Sequence, residues 1–323
     1  MSGPGGSGSQ SRSARTKSVL CALRAFESPR RRDALILIGM NQDGGQLRFG
    51  EYMLGLEGLA LLRMGASGDV SAVPARVEEM IDFAGRLDEP ELAASRYLPA
   101  SDVQPGYDVW ANTYDDRDNP LIRTEEPALK QVFEDLPEGP VLDAACGTGR
   151  LASLLISRHR VIGVDSSPEM LNRAREKVPN AEFLDGDLGA LPVETASVAS
   201  AVCALALSHL PTLGPAVKEL ARVVASGGRV VISNVHPIVT GILGWRAWFA
   251  HPDGSRSFIP EYVHSHADYI EAFTTAELEV ISCLEPPIPP DLARAMGGGI
   301  ADDCAEIAVS GLSGALIWVL GRP

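Results

Sequence analysis

Short apolar runs alternate with amphipathic stretches over the last two-thirds of the chain. The apolar runs have the length and composition of strands, and they occupy residues 140–146, 160–165, 181–187, 196–207, 228–235, 278–286 and 315–322. Stretches with helical periodicity stand between them, at 151–158, 167–178, 215–225 and 267–276. This alternation predicts an α/β fold, in which a mostly parallel sheet carries helices on both faces. Such sheets bind ligands at the carboxyl ends of their strands.

The N-terminal third shows helical periodicity instead. Residues 51–64 and 73–87 predict helices, and in the second of these Val77 and Ile81 are spaced to face inward. We therefore predict a mainly helical accessory domain over residues 19–105, for dimerisation or for covering an active site. Pure scaffolding is the alternative interpretation.

Two further segments complete the predicted organisation. Residues 1–18 are rich in Gly and Ser and predict a disordered tail. The remainder, 106–323, is predicted to form a ligand-binding α/β domain. Within it, the Pro-, aromatic- and His-rich segment at about 236–275 is long for a connection, which predicts a cap inserted after the fifth strand.

Composition narrows the classes of partner. The 323 residues carry a net charge of -14, which argues against nucleic acid as the main partner, because phosphate binding needs a basic surface. The basic cluster in residues 1–32 is interpreted as a solvated tail, with contact to an acidic partner as the alternative. No apolar run approaches a membrane span, and no secretory signal is evident. Five scattered cysteines fit a reducing cytoplasm and predict neither disulfides nor a zinc site.

A glycine-rich turn follows the first predicted strand. Gly147 and Gly149 allow the backbone to approach a ligand where a side chain would clash. The next strand ends at Asp165, sixteen residues after Gly149. An acid at that position can accept hydrogen bonds from both hydroxyls of a ribose. The pattern predicts a nucleotide-like ligand.

Four segments in order strengthen this prediction: VLDAACGTGR (141–150), VIGVDSSPEML (161–171), FLDGDLGALP (183–192) and LARVVASGGRVVISNVHP (220–237). Together they resemble the successive signatures of class I methyltransferases that depend on S-adenosylmethionine (SAM), over about residues 105–285. The resemblance implies a Rossmann-like seven-stranded sheet, SAM as cofactor and S-adenosylhomocysteine as product. Ala145 departs from the family, which usually has glycine there, and the missing third glycine of the dinucleotide pattern disfavours NAD.

The resemblance also implies a set of cofactor-binding residues: Tyr114, Asp143, Ala145, Cys146, Gly147, Gly149, Asp165, Ser166, Met170, Gly186, Asp187, Leu188 and Ala204. It assigns Asp143 to the methionine amino group, Asp165 to the ribose and Asp187 to the adenine amino group. For Asp187, a turn or helix-capping role is the alternative. Before the sheet, Tyr107, Trp110 and Tyr114 are candidates for an aromatic lid over the cofactor, with ordinary packing as the alternative.

Two histidines at strand ends are candidate general bases for the methyl acceptor. His209 follows the fourth strand and His236 the fifth, and a neutral imidazole suits an acidic hydroxyl. A structural role is the alternative for each. The predicted acceptor-binding residues are Tyr107, Trp110, Trp245, His264, His266 and Tyr269. A third ligand beside His264 and His266 is not evident, so no metal site is predicted.

We therefore expect a methyltransferase that acts on a small molecule, such as a bacterial secondary metabolite, with oxygen as the first candidate acceptor and carbon or nitrogen next. One alternative is a protein of this fold that binds SAM without methylating, as a binding partner or a cyclase-like enzyme. Another is a methyltransferase for peptides or proteins. A homodimer is a candidate assembly.

Overall fold

The computed structural model describes residues 48–68, 70–94, 98–116 and 119–323. The predicted tail at 1–18 and the basic cluster at 1–32 lie outside the described residues. The chain divides into two compact units, and the described parts of the first come from 46–96 and 289–311. The second unit contains 97–288 and 312–323. Among the described residues, no helix has the length and apolarity needed to cross a membrane.

The α-helices, in chain order, are α1 Phe49–Ser67, α2 Val73–Gly85, α3 Pro90–Ala93, α4 Val103–Trp110, α5 Pro120–Glu134, α6 Arg150–Leu155, α7 Pro168–Lys177, α8 Gly214–Val223, α9 Pro237–Gly241, α10 His266–Thr275, α11 Pro290–Ala295 and α12 Asp302–Val309. The strands are β1 Val141–Ala144, β2 Val161–Asp165, β3 Glu182–Asp185, β4 Val198–Ala204, β5 Val224–Val235, β6 Ala247–Ala250, β7 Arg256–Ile259, β8 Glu279–Leu284 and β9 Ala315–Gly321. Two single turns of 3₁₀ helix occupy Tyr114–Asp116 and Leu207–His209.

Seven of these strands form one sheet in the order β3-β2-β1-β4-β5-β9-β8. The strands from β3 to β5 are parallel to one another, and β9 runs antiparallel to both of its neighbours. The carboxyl ends of β5 and β8 therefore lie at the same edge of the sheet as those of β1 and β2. The predicted α/β fold with a seven-stranded sheet is confirmed.

Helices cover both faces of this sheet, because each face presents an unbroken apolar surface. On one face α8 and α10 contribute buried side chains such as Leu220 and Phe273. On the other face α5, α6 and α7 contribute Phe133, Leu155 and Leu171. This arrangement matches the alternation read from the sequence.

The segment after β5 has its own secondary structure, and its role as a cap stays a prediction. It contains α9 and an antiparallel hairpin of β6 and β7. Helix α4 packs closely on this hairpin at Gly106, which has no side chain. A Cβ at this position would stand 3.1 Å from Ile259 and 3.2 Å from Phe249. Trp110 stacks on Phe249 with ring centroids 6.2 Å apart.

The helical unit differs from the expectation in one respect: residues 289–311, assigned from the sequence to the α/β domain, join the N-terminal helices. Arg63 on α1 donates hydrogen bonds to the carbonyl oxygens of Ala308 (3.1 Å) and Ser310 (2.8 Å), near the end of α12. The unit is mainly helical over its described residues, as predicted. Its role stays a prediction.

The predicted inward face of α2 is wrong. Phe83 is the buried residue of this helix, whereas Val77 and Ile81 are 41% and 68% exposed. Periodicity locates an apolar face, but the neighbours of a helix decide which part of that face is covered.

Candidate cofactor and acceptor site

The glycine-rich turn between β1 and α6 uses left-handed backbone conformations. Gly147 has φ 54° and Gly149 has φ 80°, which glycine adopts without steric cost. At Gly147 no atom lies within 4 Å of where a Cβ would stand, so the turn presents open backbone. Ala145 also has a positive φ, 57°. This conformation costs a non-glycine residue roughly 1–2 kcal/mol, so the position would suit glycine better, as the family resemblance implies.

Asp165, at the end of β2, holds this turn. Its Oδ2 accepts a hydrogen bond from the Gly147 amide (2.8 Å), and its Oδ1 accepts one from the Ser167 amide (2.9 Å). Each carboxylate oxygen has a second lone pair, so further donors can be accepted. Burial raises the pKa of Asp165, and the two amides oppose that shift. The next residue, Ser166, is half-buried.

Asp143, on β1, lies beneath the turn and is only 1% exposed. Its Oδ2 accepts a hydrogen bond from the amide of Ala152, in the first turn of α6 (2.9 Å). Burial raises the pKa of Asp143 to about 7, against the opposing effects of that amide and of Arg150. The carboxyl group is therefore poised to ionise near neutral pH.

Arg150 follows the turn and is a candidate site residue that the sequence reasoning missed. It pairs with the fully buried Glu125 of α5, which in turn accepts a hydrogen bond from Ser233 of β5. Its buried Nη1 has no hydrogen-bond partner among the described residues, and a carboxylate oxygen of Glu126 lies 3.7 Å away. A guanidinium nitrogen in that state is available to a carboxylate ligand. The available signal was a basic residue directly after Gly149.

The remaining predicted cofactor residues surround the ends of β1 to β4. Asp187 is exposed, and its Oδ1 accepts from the Gly189 amide (2.7 Å), the geometry of a turn. Gly186 donates to the carbonyl oxygen of Asp165 (3.1 Å), which joins this turn to β2. Three others differ in exposure: Cys146 and Met170 are buried, and Leu188 is half-buried. Ala204 is the last residue of β4.

The three predicted lid aromatics lie together. The ring centroids of Tyr107 and Trp110 are 5.7 Å apart, and those of Trp110 and Tyr114 are 4.9 Å apart. Polar contacts join this segment to the two cofactor turns. Asp108 accepts a hydrogen bond from Ser167, and Asp115 accepts one from Thr148 (2.9 Å).

His209 meets Tyr107 at this cluster. The Nδ1 of His209 lies 3.0 Å from the carbonyl oxygen of Pro260, which can only accept, so Nδ1 carries the proton. Nε2 is then the acceptor for the Tyr107 hydroxyl at 2.8 Å. Burial lowers the pKa of His209. A neutral imidazole with a defined tautomer thus faces a phenol.

Glu261 is another buried acid, and it directly follows Pro260, whose carbonyl oxygen His209 contacts. The neighbouring Tyr262 donates its amide to the carbonyl oxygen of Ser208 at 2.6 Å. Burial raises the pKa of Glu261 to about 7, while Arg246 and the Ser208 hydroxyl favour its charged form. Sequence reasoning missed this residue, because no pattern marks a single acid in a cap.

The two histidines predicted to bind the acceptor, His264 and His266, contact different parts of the protein. His264 contacts the carbonyl oxygen of Leu210 through Nε2 (2.9 Å). His266 instead approaches His236, and the Nε2 atoms of both contact Oε1 of Glu285, at 2.8 Å and 3.3 Å. Glu285 was not predicted, because only the fold brings the end of β8 beside the end of β5.

Two aromatic residues predicted for the acceptor are buried. Tyr269 belongs to the core on one face of the sheet, where its hydroxyl accepts a hydrogen bond from Asn234 (3.0 Å). Trp245 is 2% exposed, and its indole nitrogen has no hydrogen-bond partner among the described residues.

Comparisons with known proteins agree with this geometry. Residues 141–228 match the sequence model of a methyltransferase domain family. The chain is 33% identical over 150 residues to a demethylmenaquinone methyltransferase of Chlorobaculum tepidum, covering 43% of this chain and 61% of the relative. It is 31% identical over 174 residues to a malonyl-[acyl-carrier protein] O-methyltransferase of Yersinia pestis, covering 52% and 64%. The chain therefore spans less than two thirds of either curated relative.

Among solved structures, an S-adenosylmethionine dependent methyltransferase from Mesorhizobium loti matches with 21% identity and a TM-score of 0.47, covering 62% of this chain and 98% of that one. Residues 141–228 of the α/β unit therefore resemble a methyltransferase domain, and the sheet order and the glycine-rich turn held by Asp165 agree with that resemblance. The cofactor that such a domain implies is SAM.

The residues present fit that cofactor. The open backbone at Gly147 and the unpartnered Nη1 of Arg150 suit a ligand with a ribose and a carboxylate. The acids Asp143 and Asp165 suit its hydroxyl and ammonium groups. SAM supplies an activated methyl group when bound.

Proposed function

We propose that the protein transfers a methyl group from SAM to a small-molecule acceptor. The observation that carries this proposal is the Tyr107–His209 hydrogen bond, at the same edge of the sheet as the turn that Asp165 holds. A cofactor turn and a neutral proton acceptor at one edge are what methylation of a hydroxyl group needs. An oxygen acceptor is accordingly the first candidate, and carbon or nitrogen follow.

In this proposal the chain's residues bind and orient. Asp165 holds the ribose, Asp143 the ammonium group, and Arg150 the carboxylate of the cofactor. The rings of Tyr107, Trp110 and Tyr114 exclude water from the methyl group. Alignment of two reactants in this way can supply roughly 7–11 kcal/mol of the barrier reduction.

The acceptor's proton leaves through two groups. Tyr107 occupies the free nitrogen of His209, so the acceptor hydroxyl gives its proton to the Tyr107 oxygen while Tyr107 gives its own to Nε2. The carbonyl oxygen of Pro260 continues to accept from Nδ1 and stabilises the resulting imidazolium. Glu261 adds a nearby negative charge when it is ionised.

Two observations bear on the chemical class of the acceptor. The relatives are named as methyltransferases of demethylmenaquinone and of malonyl-acyl-carrier protein, an aromatic ring system and a carboxylic acid. The aromatic lid residues favour an apolar or aromatic compound, and a bacterial secondary metabolite is the proposed source.

A calorimetric titration with SAM and S-adenosylhomocysteine tests the first half of the proposal, with Asp165→Ala as the deficient variant. We expect micromolar binding by the wild type and its loss in the variant. Candidate acceptors are then screened by mass spectrometry for the gain of one methyl group. Absence of binding to both ligands by a folded wild-type protein would overturn the proposed function.

A further inference from the structure

Three potential metal ligands converge at the carboxyl edge of the sheet, and the proposed methyl transfer uses none of them. His236 directly follows β5, Glu285 directly follows β8, and His266 begins α10. One ligand atom of each lies within 4.8 Å of the others. The Nε2 atoms of His236 and His266 are 3.3 Å and 2.8 Å from the same oxygen of Glu285.

These separations are close to what a single ion requires. Ligand atoms about 2.0–2.2 Å from a tetrahedral zinc ion stand about 3.3 Å from one another. Small side-chain movements would bring the three ligand atoms to the separations that zinc requires. His266 and Glu285 are partly exposed and can make these movements, whereas His236 is fixed by burial. The exposed side leaves room for a further ligand.

We propose that His236, His266 and Glu285 form a binding site for a divalent transition-metal ion. Two imidazoles and one carboxylate suit Zn²⁺ or Fe²⁺, whereas Mg²⁺ and Ca²⁺ prefer oxygen ligands alone. Three protein ligands with an open position are typical of catalytic rather than structural zinc sites. The site takes water or an oxygen of a small molecule as its fourth ligand.

Binding rearranges protons on His236. Its Nδ1 accepts from the Ile238 amide at 3.2 Å, so Nε2 carries the proton that points to Glu285. The ion takes the lone pair of Nε2, a proton moves to Nδ1, and the contact with Ile238 is given up. That contact is longer than the usual 2.9–3.0 Å, so it opposes binding only weakly.

The site is distinct from the pair suggested by sequence spacing. His264 contacts the carbonyl oxygen of Leu210 instead. Cys283, two residues before Glu285, is a nearby exposed thiol. A thiol that captures zinc by itself is therefore the competing explanation that the experiment must separate.

The experiment is a calorimetric titration of the full chain, prepared without a polyhistidine tag and stripped with a chelator, with Zn²⁺ and separately with Mg²⁺. We expect one Zn²⁺ per chain and no heat from Mg²⁺. Glu285→Gln and His266→Asn should each weaken Zn²⁺ binding by at least about 10–100-fold, the range that loss of even an outer partner produces. The visible spectrum of bound Co²⁺ reports the same site independently.

Matched variants serve as controls. Glu279→Gln lies at the other end of β8, His251→Asn lies between β6 and β7, and Cys283→Ser removes the thiol; all three should leave Zn²⁺ affinity unchanged. The proposal is overturned if the wild type binds no Zn²⁺, if binding survives in both Glu285→Gln and His266→Asn, or if Cys283→Ser abolishes it. SAM titrations of the same variants report the proposed function separately.

Discussion

The carboxyl group of Asp143 is buried beside the turn that we propose binds the cofactor, with its pKa raised to about 7. Since the folded pKa lies above the unfolded value of about 3.9, the folded state holds the proton more tightly. The ligand-free protein therefore loses stability as the pH rises from about 4 to about 7, and the loss persists above that range. A bound ammonium group reverses the preference by stabilising the carboxylate.

We predict that SAM affinity increases about tenfold between pH 6 and pH 8, because binding favours the ionised form of Asp143. Calorimetry in buffers of different ionisation enthalpy should detect proton release at pH 7. In Asp143→Asn the pH dependence should disappear and SAM should bind more weakly. The ligand-free variant should nevertheless be more stable at pH 8. A pH dependence that persists in Asp143→Asn would assign the proton to another group.

His209 and Tyr107 lead to a second prediction at this scale. Tyr107→Phe and His209→Asn should lower kcat by about 10²–10⁴-fold, the usual contribution of general base catalysis, with SAM affinity unchanged. Tyr107→Phe keeps the ring and removes only the hydroxyl. Burial lowers the pKa of His209, so the acid limb of the wild-type pH–rate profile should fall below the ordinary histidine value of about 6.5. An unchanged kcat in Tyr107→Phe would exclude the proton relay.

At the scale of elements, the segment from α4 to the following 3₁₀ turn is joined to the cofactor turns by side chains. Asp108 accepts a hydrogen bond from Ser167, two residues after Asp165, and Asp115 accepts one from Thr148, between the two turn glycines. Lys177 of α7 adds an ion pair with Asp115 at 2.6 Å. These contacts hold aromatic residues over the turns, which suits a lid that closes on a ligand.

We predict that the double variant Asp108→Asn/Asp115→Asn releases SAM about tenfold faster, because the two hydrogen bonds contribute about 0.5–1.5 kcal/mol each. Stopped-flow dissociation measures this rate, and hydrogen exchange over residues 103–116 should rise in the same variant. Glu169→Gln, an exposed change on α7, is the control. Equal dissociation rates in the wild type and the double variant would show that the segment is static packing.

At the scale of the whole molecule, the chain leaves the α/β unit after β8 and returns before β9. The amide of Ile288 donates to the carbonyl oxygen of Leu312 at 2.8 Å, and the amide of Gly314 donates to that of Pro286 at 2.9 Å. The two ends of the 289–311 insertion are therefore adjacent, although the insertion itself belongs to the helical unit.

We predict that replacing residues 289–311 with a short glycine linker leaves the seven-stranded sheet intact, because the ends it must join already meet. SAM binding should survive, whereas α1 should lose its contacts with α12 and the helical unit should unfold at a lower temperature. Calorimetric unfolding and SAM titration measure the two effects. Loss of SAM binding from a variant with an intact sheet would indicate that the helical unit supports the cofactor site.

The sequence by itself determined the sheet and the glycine-rich turn after β1. Alternating periods of apolar residues fix strands and helices locally, and Gly147, Gly149 and Asp165 mark a turn whose backbone few other residues allow. Tertiary structure decided the contacts around the histidines and the composition of the helical unit, because the residues that meet there are distant in the chain. The tautomer of His209 depends on Pro260, Glu285 joins His236 only through the pairing of β8 with β9, and helices after β8 complete a unit that begins before residue 97. The local sequence pattern carries no information about such long-range contacts, since they depend on burial and hydrogen bonding between remote segments.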